Sequence, residues 1–212
     1  MFRDRLEAGE RLAEALKGSA GSDCVVLGIP RGGVIVAEVV ALALGVPLDV
    51  VVPRKIGAPG NPELGLGAVA PGVTVLDPWL VERLGVSEEY LAREVAAQEQ
   101  EIARRLQAYR EGRPPVDVAG KTVIVIDDGV ATGGTAIASL RWARAQEAAK
   151  VVLAVPVAPP QTMDRLRHEA DEVVALATPE PFFAVGEWYR DFEQTTDREV
   201  VEALARASAS RA

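Results

Sequence analysis

Residues 123 to 136 read VIVIDDGVATGGTA, a run of β-forming residues that meets two adjacent carboxylates and then a turn of small residues. Neighbouring side chains on a strand point to opposite faces, so Asp127 and Asp128 cannot both continue a buried sheet without burying an unpaired charge. The strand must end there. At the carboxyl end of a parallel strand both acids can face the crevice where open α/β sheets bind ligands. Ionised carboxylates only accept hydrogen bonds, which suits ribose hydroxyls or, through water, Mg2+. Thr132, Gly133, Gly134 and Thr135 follow with flexible backbone, two hydroxyls and a helix start behind them. That combination is a phosphate cradle. It has neither the Gly-Lys-Ser/Thr ending of nucleotide-triphosphatase loops nor the spaced glycines of dinucleotide sites. A helix-capping turn accounts for Thr132 or Thr135 but not for the paired acids.

The elements that position this stretch alternate as in an α/β fold. Apolar runs predict strands at 23–29, 48–53, 121–127, 150–156 and 172–176, with short strands near 66–70 and 73–76. Helices are expected at about 33–44, 134–148 and 160–169. The first eighteen residues form an amphipathic helix pattern through Phe2, Leu6, Leu12, Ala13 and Leu16 rather than a signal peptide. Ser87 caps a long amphipathic helix to Arg110, a packing helix or an oligomer contact. Continuous apolar strands predict a parallel sheet covered on both faces. After about residue 205 the chain reads as a fading Ala/Ser/Arg tail.

Composition narrows the partners. The chain has 212 residues, 49% apolar and 25% charged, as in an ordinary globular protein. A formal charge of -8 argues against nucleic acid, since duplex-binding surfaces cluster Lys and Arg, but leaves a small phosphorylated ligand open. No apolar run reaches the ~20 residues a membrane span needs, so the expectation is no membrane and a cytoplasmic protein. The single cysteine, Cys24, cannot form a disulfide within the chain and reads as a buried spectator.

Val123 to Thr135 resembles the phosphoribosyl-pyrophosphate (PRPP) motif of the type I phosphoribosyltransferases, and the order of elements over about residues 23–176 agrees with that family's core. The resemblance implies an α/β fold: a parallel-sheet phosphoribosyltransferase-like core flanked by helices, with a small hood from the terminal segments. It implies one domain over 1–212, with the core at about 20–178, a helical insertion at 78–112 and a hood from about 179. Asp127 and Asp128 would hold the ribose hydroxyls, and Mg2+ through water or ribose. Ala131, Thr132, Gly133, Gly134 and Thr135 would wrap the 5-phosphate. GIPRGGV (28–34) stands where the family binds pyrophosphate, through Arg31, Gly32 and Gly33. A plain strand-to-helix turn also explains those glycines.

PRKIGAPGNPELGLGA (53–68) resembles the family's mobile basic lid, with Arg54 and Lys55 as catalytic residues meeting the departing pyrophosphate. Pro59, Gly60, Asn61 and Pro62 discourage regular structure there, and an exposed basic loop without a role is the plainer reading. In the aromatic stretch 181–200, Trp188, Tyr189 or Phe192 could stack on an acceptor base, with Asp191 or Glu187 as polar readers, although core or subunit contact is as natural a use. His168 reads as a spectator.

The resemblance implies a Mg-dependent transfer of the phosphoribosyl group of PRPP to a small nitrogen acceptor, a nucleobase, in a homo-oligomer such as a dimer. The alternative is a PRPP- or nucleotide-binding regulatory protein that keeps the fold without the chemistry; a hydrolase or phosphorylase using the same pocket is a third reading. Two departures bear on the acceptor. Ala131 stands where enzymes for 6-oxopurines carry an acid, and AVPVAPP (154–160) stands where they carry a lysine. The loop looks nearer to the adenine type.

Overall fold

The computed structural model describes residues 1–18, 21 and 23–210. In chain order the elements are α1 (Arg5–Leu16), β1 (Cys24–Gly28), α2 (Gly32–Leu44), β2 (Leu48–Val50), β3 (Arg54–Ala58), β4 (Asn61–Ala70), β5 (Val73–Leu76), α3 (Pro78–Arg83) and α4 (Glu88–Arg110). They continue as β6 (Thr122–Ile126), α5 (Gly134–Ala145), β7 (Lys150–Val157), α6 (Pro160–Glu169), β8 (Glu172–Ala177), a 3-10 turn (Val185–Trp188) and α7 (Asp197–Ala209).

Five strands form one parallel sheet in the order β2-β1-β6-β7-β8. β6 shows why an unbroken apolar run was needed. Val123 and Val125 pack with Ile137, Leu140 and Ala143 of α5, while Ile124 and Ile126 pack with Leu12, Leu16, Val36 and Val40 of α1 and α2. Both faces are covered, as in parallel sheets generally. The two chain ends also meet: Phe2 bridges to Tyr189 just before α1, while Leu6 is exposed rather than in the core.

Residues 54–67 depart from the expected irregular loop. They fold into an antiparallel hairpin, β3 and β4, extended by β5 into a second sheet. Pro59 and Gly60 make its turn, with Gly60 at φ 73°, and the register shifts twice between Ile56 and Ala58, beside Pro62. Proline and glycine are tolerated in a sheet at turns and bulges. α4 backs this hairpin: Tyr90 donates its hydroxyl hydrogen bond to the Gly57 carbonyl at 3.0 Å, and Ile102 and Tyr109 are buried. The C-terminal segment is a helix, α7, rather than a fading tail; its final two residues lie outside the described part.

The edge of the main sheet is fixed by one buried acid. Asp49 accepts from Arg110 Nε and Nη2 at 3.1 and 2.9 Å, and from the backbone N–H of Val50 and Val116 at 2.8 and 3.0 Å. Removing one partner strands a buried charge, so Asp49→Ala is expected to lower the unfolding free energy by about 3–5 kcal/mol, read as an earlier midpoint in urea. No helix among the described residues is long and apolar enough to cross a membrane.

Candidate functional site

The end of β6 forms the floor of the site. Ile29 N–H bonds the Ile126 carbonyl at 2.8 Å, so the strand-to-helix loop after β1 lies directly beside the two acids. Asp127 Oδ1 accepts the Asp128 N–H at 2.9 Å. Asp128 Oδ2 accepts from Arg5 Nε at 2.8 Å, and the Asp128 carbonyl takes the Tyr189 hydroxyl at 2.6 Å. Two glycines make room. A Cβ on Gly32 would lie 1.9 Å from Asp128 Oδ2 and 2.6 Å from Arg5 Nε. One on Gly33 would lie 2.8 Å from Asp127 Cα and 2.9 Å from the Ile126 carbonyl oxygen.

These contacts set the electrostatics. Burial, followed by the charge of Asp128, holds the Asp127 carboxyl well above the usual carboxylate range. Burial also raises Asp128, opposed by the Arg5 guanidinium. The pair therefore differs: Arg5 bonds Asp128 directly and acts on Asp127 only through space.

Behind the acids, the chain turns into α5 through the small-residue loop. Gly133 caps the helix at φ 85°, a left-handed conformation that favours glycine. The first turn of a helix leaves backbone N–H groups without intrahelical partners, and here they belong to Gly134 and Thr135. Thr162 of α6 holds the loop from behind by donating to the Ala131 carbonyl at 2.6 Å.

Two cavities open on this machinery and share Thr135. One, of about 410 Å³, is lined by Arg5, Arg31, Gly32, Asp127, Asp128 and Phe192 among others. The second, of about 290 Å³, joins Thr132 and Gly134 to Lys55 and Arg165. A larger cavity, about 680 Å³, lies at the sheet edge between Val50, Leu106 and Trp142, and shares no lining residue with these two.

The structure brings together most of the residues expected from the sequence. Asp127, Asp128, Arg31 and Gly32 line one cavity, with Gly33 packed directly beneath Asp127. Arg31 lies 3.7 Å from Asp197, which also takes the hydroxyl of buried Tyr109 at 2.8 Å. Burial and that carboxylate push the Tyr109 phenol up to about 12. Arg54 and Lys55 part company, because adjacent strand residues face opposite ways. Lys55 Nζ bonds the Glu63 carbonyl and its side chain lines the cradle cavity, whereas Arg54 Nε turns to Gln98 of α4 at 3.0 Å.

The aromatic candidates also divide. Phe192 lines the larger of the two site cavities; Tyr189 and Trp188 do not. Tyr189 is buried, with its ring centroid 5.4 Å from that of Phe2 and 4.9 Å from that of Phe192, and Trp188 stacks on Phe182 at 6.4 Å. Arg5, Arg165, Gln194 and Thr195 were not anticipated. Cys24 is buried, its thiol pushed up to about 11 by desolvation, so it takes no part.

Among the described residues no group of three or more His, Cys, Asp or Glu side chains could hold a metal by itself. When ionised, Asp127 is nevertheless an acceptor-only group beside an anion-type loop, which suits a cation that arrives with substrate oxygens. Mg2+ usually keeps several waters and takes only one or two carboxylates along with substrate phosphates.

Comparison with known proteins adds a lineage. Residues 3–189 match the phosphoribosyl transferase domain family. A Mycobacterium tuberculosis H37Rv protein carrying the provisional name of a phosphoribosyl transferase is 48% identical over 210 residues, which is 98% of this chain and 47% of that protein. The chain thus spans about half the length of the curated relatives it matches. The crystal structure of TT1426 from Thermus thermophilus superposes with a TM-score of 0.83 at 47% identity, covering 97% of this chain and 98% of that one. A purine phosphoribosyltransferase from Pyrococcus horikoshii Ot3 shares the fold at a TM-score of 0.51 and 18% identity, covering 91% and 93% of the two chains.

Proposed function

The chain belongs to the phosphoribosyl transferase domain family, and from that premise we propose that it transfers the phosphoribosyl group of PRPP to a ring nitrogen of a nucleobase, with release of pyrophosphate. The observation that carries this reading is the convergence of Asp127, Asp128, Arg31, Gly32 and Thr135 on one cavity of about 410 Å³.

In this reading the bond from ribose C1 to pyrophosphate oxygen breaks, its electron pair leaves with pyrophosphate, and the acceptor nitrogen bonds to C1 as its proton is lost. Asp127 orients the ribose by accepting from its hydroxyls. The Ala131 to Thr135 loop and the start of α5 anchor the 5-phosphate through backbone N–H groups and hydroxyls. Arg31, with the close backbone approach that Gly32 and Gly33 allow, receives the pyrophosphate. Lys55, on the hairpin, adds a cation beside the cradle. Asp127, and Asp128 through ribose or water, would hold Mg2+, which when bound neutralises charge on the departing group. Positioning and charge do the work, and no side-chain nucleophile is required.

Calorimetry with PRPP, with and without Mg2+, tests the reading, followed by pyrophosphate release over a panel of bases. Mg2+-dependent binding with turnover on a base is expected. Absence of PRPP binding sinks the reading, and binding without turnover on any base gives the regulatory protein instead. In the same assay Lys55→Ala should weaken PRPP about tenfold, the usual worth of a charged hydrogen bond. Arg54→Ala, whose guanidinium points to Gln98, should change it by less than about twofold.

A further inference from the structure

The acceptor side of the cavity differs from the aromatic platform that its sequence suggests. Phe192 lines it, yet its ring is already engaged: Tyr189 stacks on it at 4.9 Å and the Arg5 guanidinium carbon lies 4.0 Å over its centroid. What a ligand meets beside Phe192 is therefore Arg5, on the first helix.

Arg5 is held unusually firmly for a long side chain. Nε donates to Asp128 and Nη1 to the Glu193 carbonyl, both at 2.8 Å. The side chain is only 12% exposed. Gly32 leaves the space that lets the Arg5–Asp128 pair form. A guanidinium carries five N–H donors and no acceptor. Two are committed to the protein by these contacts, which leaves donors for the cavity that Arg5 lines.

We propose that Arg5 reads the acceptor, and that the acceptor is a planar heterocycle presenting an exocyclic oxo group to the free edge of the Arg5 guanidinium. This rests on the phosphoribosyl-transfer reading above and narrows its substrate class. The wall beside Arg5 is built from Phe192, Gln194 and Thr195 and contains no carboxylate. The cavity's acids are Asp127 and Asp128 on the floor, the second already engaged by Arg5. Gln194 and Thr195 can donate or accept, so the fixed element of the wall is the donor edge of Arg5. An amino group placed there would set N–H against N–H and leave donors unpaired, which is how polar sites reject an analogue. Because Asp128 balances the charge of Arg5, a neutral carbonyl oxygen suffices.

The test uses the full chain and two matched pairs of free bases, hypoxanthine with adenine and uracil with 2,4-diaminopyrimidine, the second member of each pair having no exocyclic oxygen. Base binding is measured by calorimetry in the presence of PRPP and Mg2+, and PRPP binding is measured separately on every protein. In the wild type the oxo member of at least one pair should bind about tenfold more tightly than its amino partner. Arg5→Met should bring that ratio within about twofold. Arg5→Lys, which keeps a cation against Asp128 but loses the planar fork, should fall between them and guards against a variant that fails to fold. A wild type that binds PRPP but prefers the amino members or binds no member of either pair, or a preference that both variants keep at saturating PRPP, overturns the assignment and not the transfer reading. Loss of PRPP binding in the wild type overturns the transfer reading itself.

Discussion

Asp127→Asn is expected to give a protein that melts at a higher temperature than the wild type and no longer binds PRPP. Both effects come from one carboxylate. Asp127 is pushed well above the carboxylate range by burial and then by Asp128, and Arg5, which bonds Asp128 directly, opposes this only through space. Asparagine keeps the Oδ1 that accepts the Asp128 N–H, so the loop keeps its geometry and loses only the charge. Relief of a half-buried charge held beside a second carboxylate is expected to add about 1 kcal/mol of stability, or about 2–4 °C for a chain of this size.

The sign can be checked with pH. A group whose value is raised by folding stabilises the folded state in acid, and this contribution is lost as pH rises from the unfolded value through the folded one. The stability advantage of Asp127→Asn should therefore be small in acid and grow above the ordinary carboxylate range. Binding should change in the opposite sense, since an asparagine amide turns a ribose acceptor partly into a donor. A loss of about 100-fold or more in PRPP affinity is expected where a site's hydrogen-bonding sense is inverted. Calorimetry beside thermal melts at two pH values reads both effects. An asparagine variant that binds PRPP like the wild type would remove Asp127 from the ribose.

The floor of this site was legible in the sequence because its signals are local. A buried strand, two acids and a small-residue turn are consecutive, and the structure keeps them consecutive, from β6 through the start of α5. The hairpin was misread because Pro59, Gly60 and Pro62 were weighed as breakers, whereas they sit at a turn and beside bulges. α7 did have a readable signal: Thr196 and Glu199 form a reciprocal capping box in the sequence TDRE. Arg5 had none. Its partner Asp128 is 123 residues away, and only the meeting of α1 with the end of β6 makes the pair. Periodicity shows which face of a helix is buried, but not what the polar residue at its first position will touch.

Gly32 and Gly33 separate the fold from the site most sharply. They are adjacent, both open α2, and a methyl group on either collides with the acidic floor. The collisions differ in kind. On Gly33 the methyl meets backbone, Asp127 Cα at 2.8 Å and the Ile126 carbonyl oxygen at 2.9 Å, at the point where two sheet strands are joined by the Ile29 to Ile126 hydrogen bond. Backbone there cannot yield without moving β1 from β6, so Gly33→Ala should cost about 1–3 kcal/mol of stability, as overpacking generally does, and binding with it. On Gly32 the methyl meets the ends of two side chains, Asp128 and Arg5. Those can swing aside, so Gly32→Ala should fold and melt within a few degrees of the wild type. Its cost falls on the site: the 2.8 Å ion pair must open, Asp128 loses its fixed orientation under the ligand, and Arg5 leaves Phe192. A displacement of about 1 Å in positioned groups can cost about 100-fold, so PRPP affinity or turnover should drop by that order while the melting curve hardly moves. If Gly32→Ala instead unfolds like Gly33→Ala, the Arg5–Asp128 pair is part of the frame that holds the chain together rather than part of the apparatus that meets the substrate.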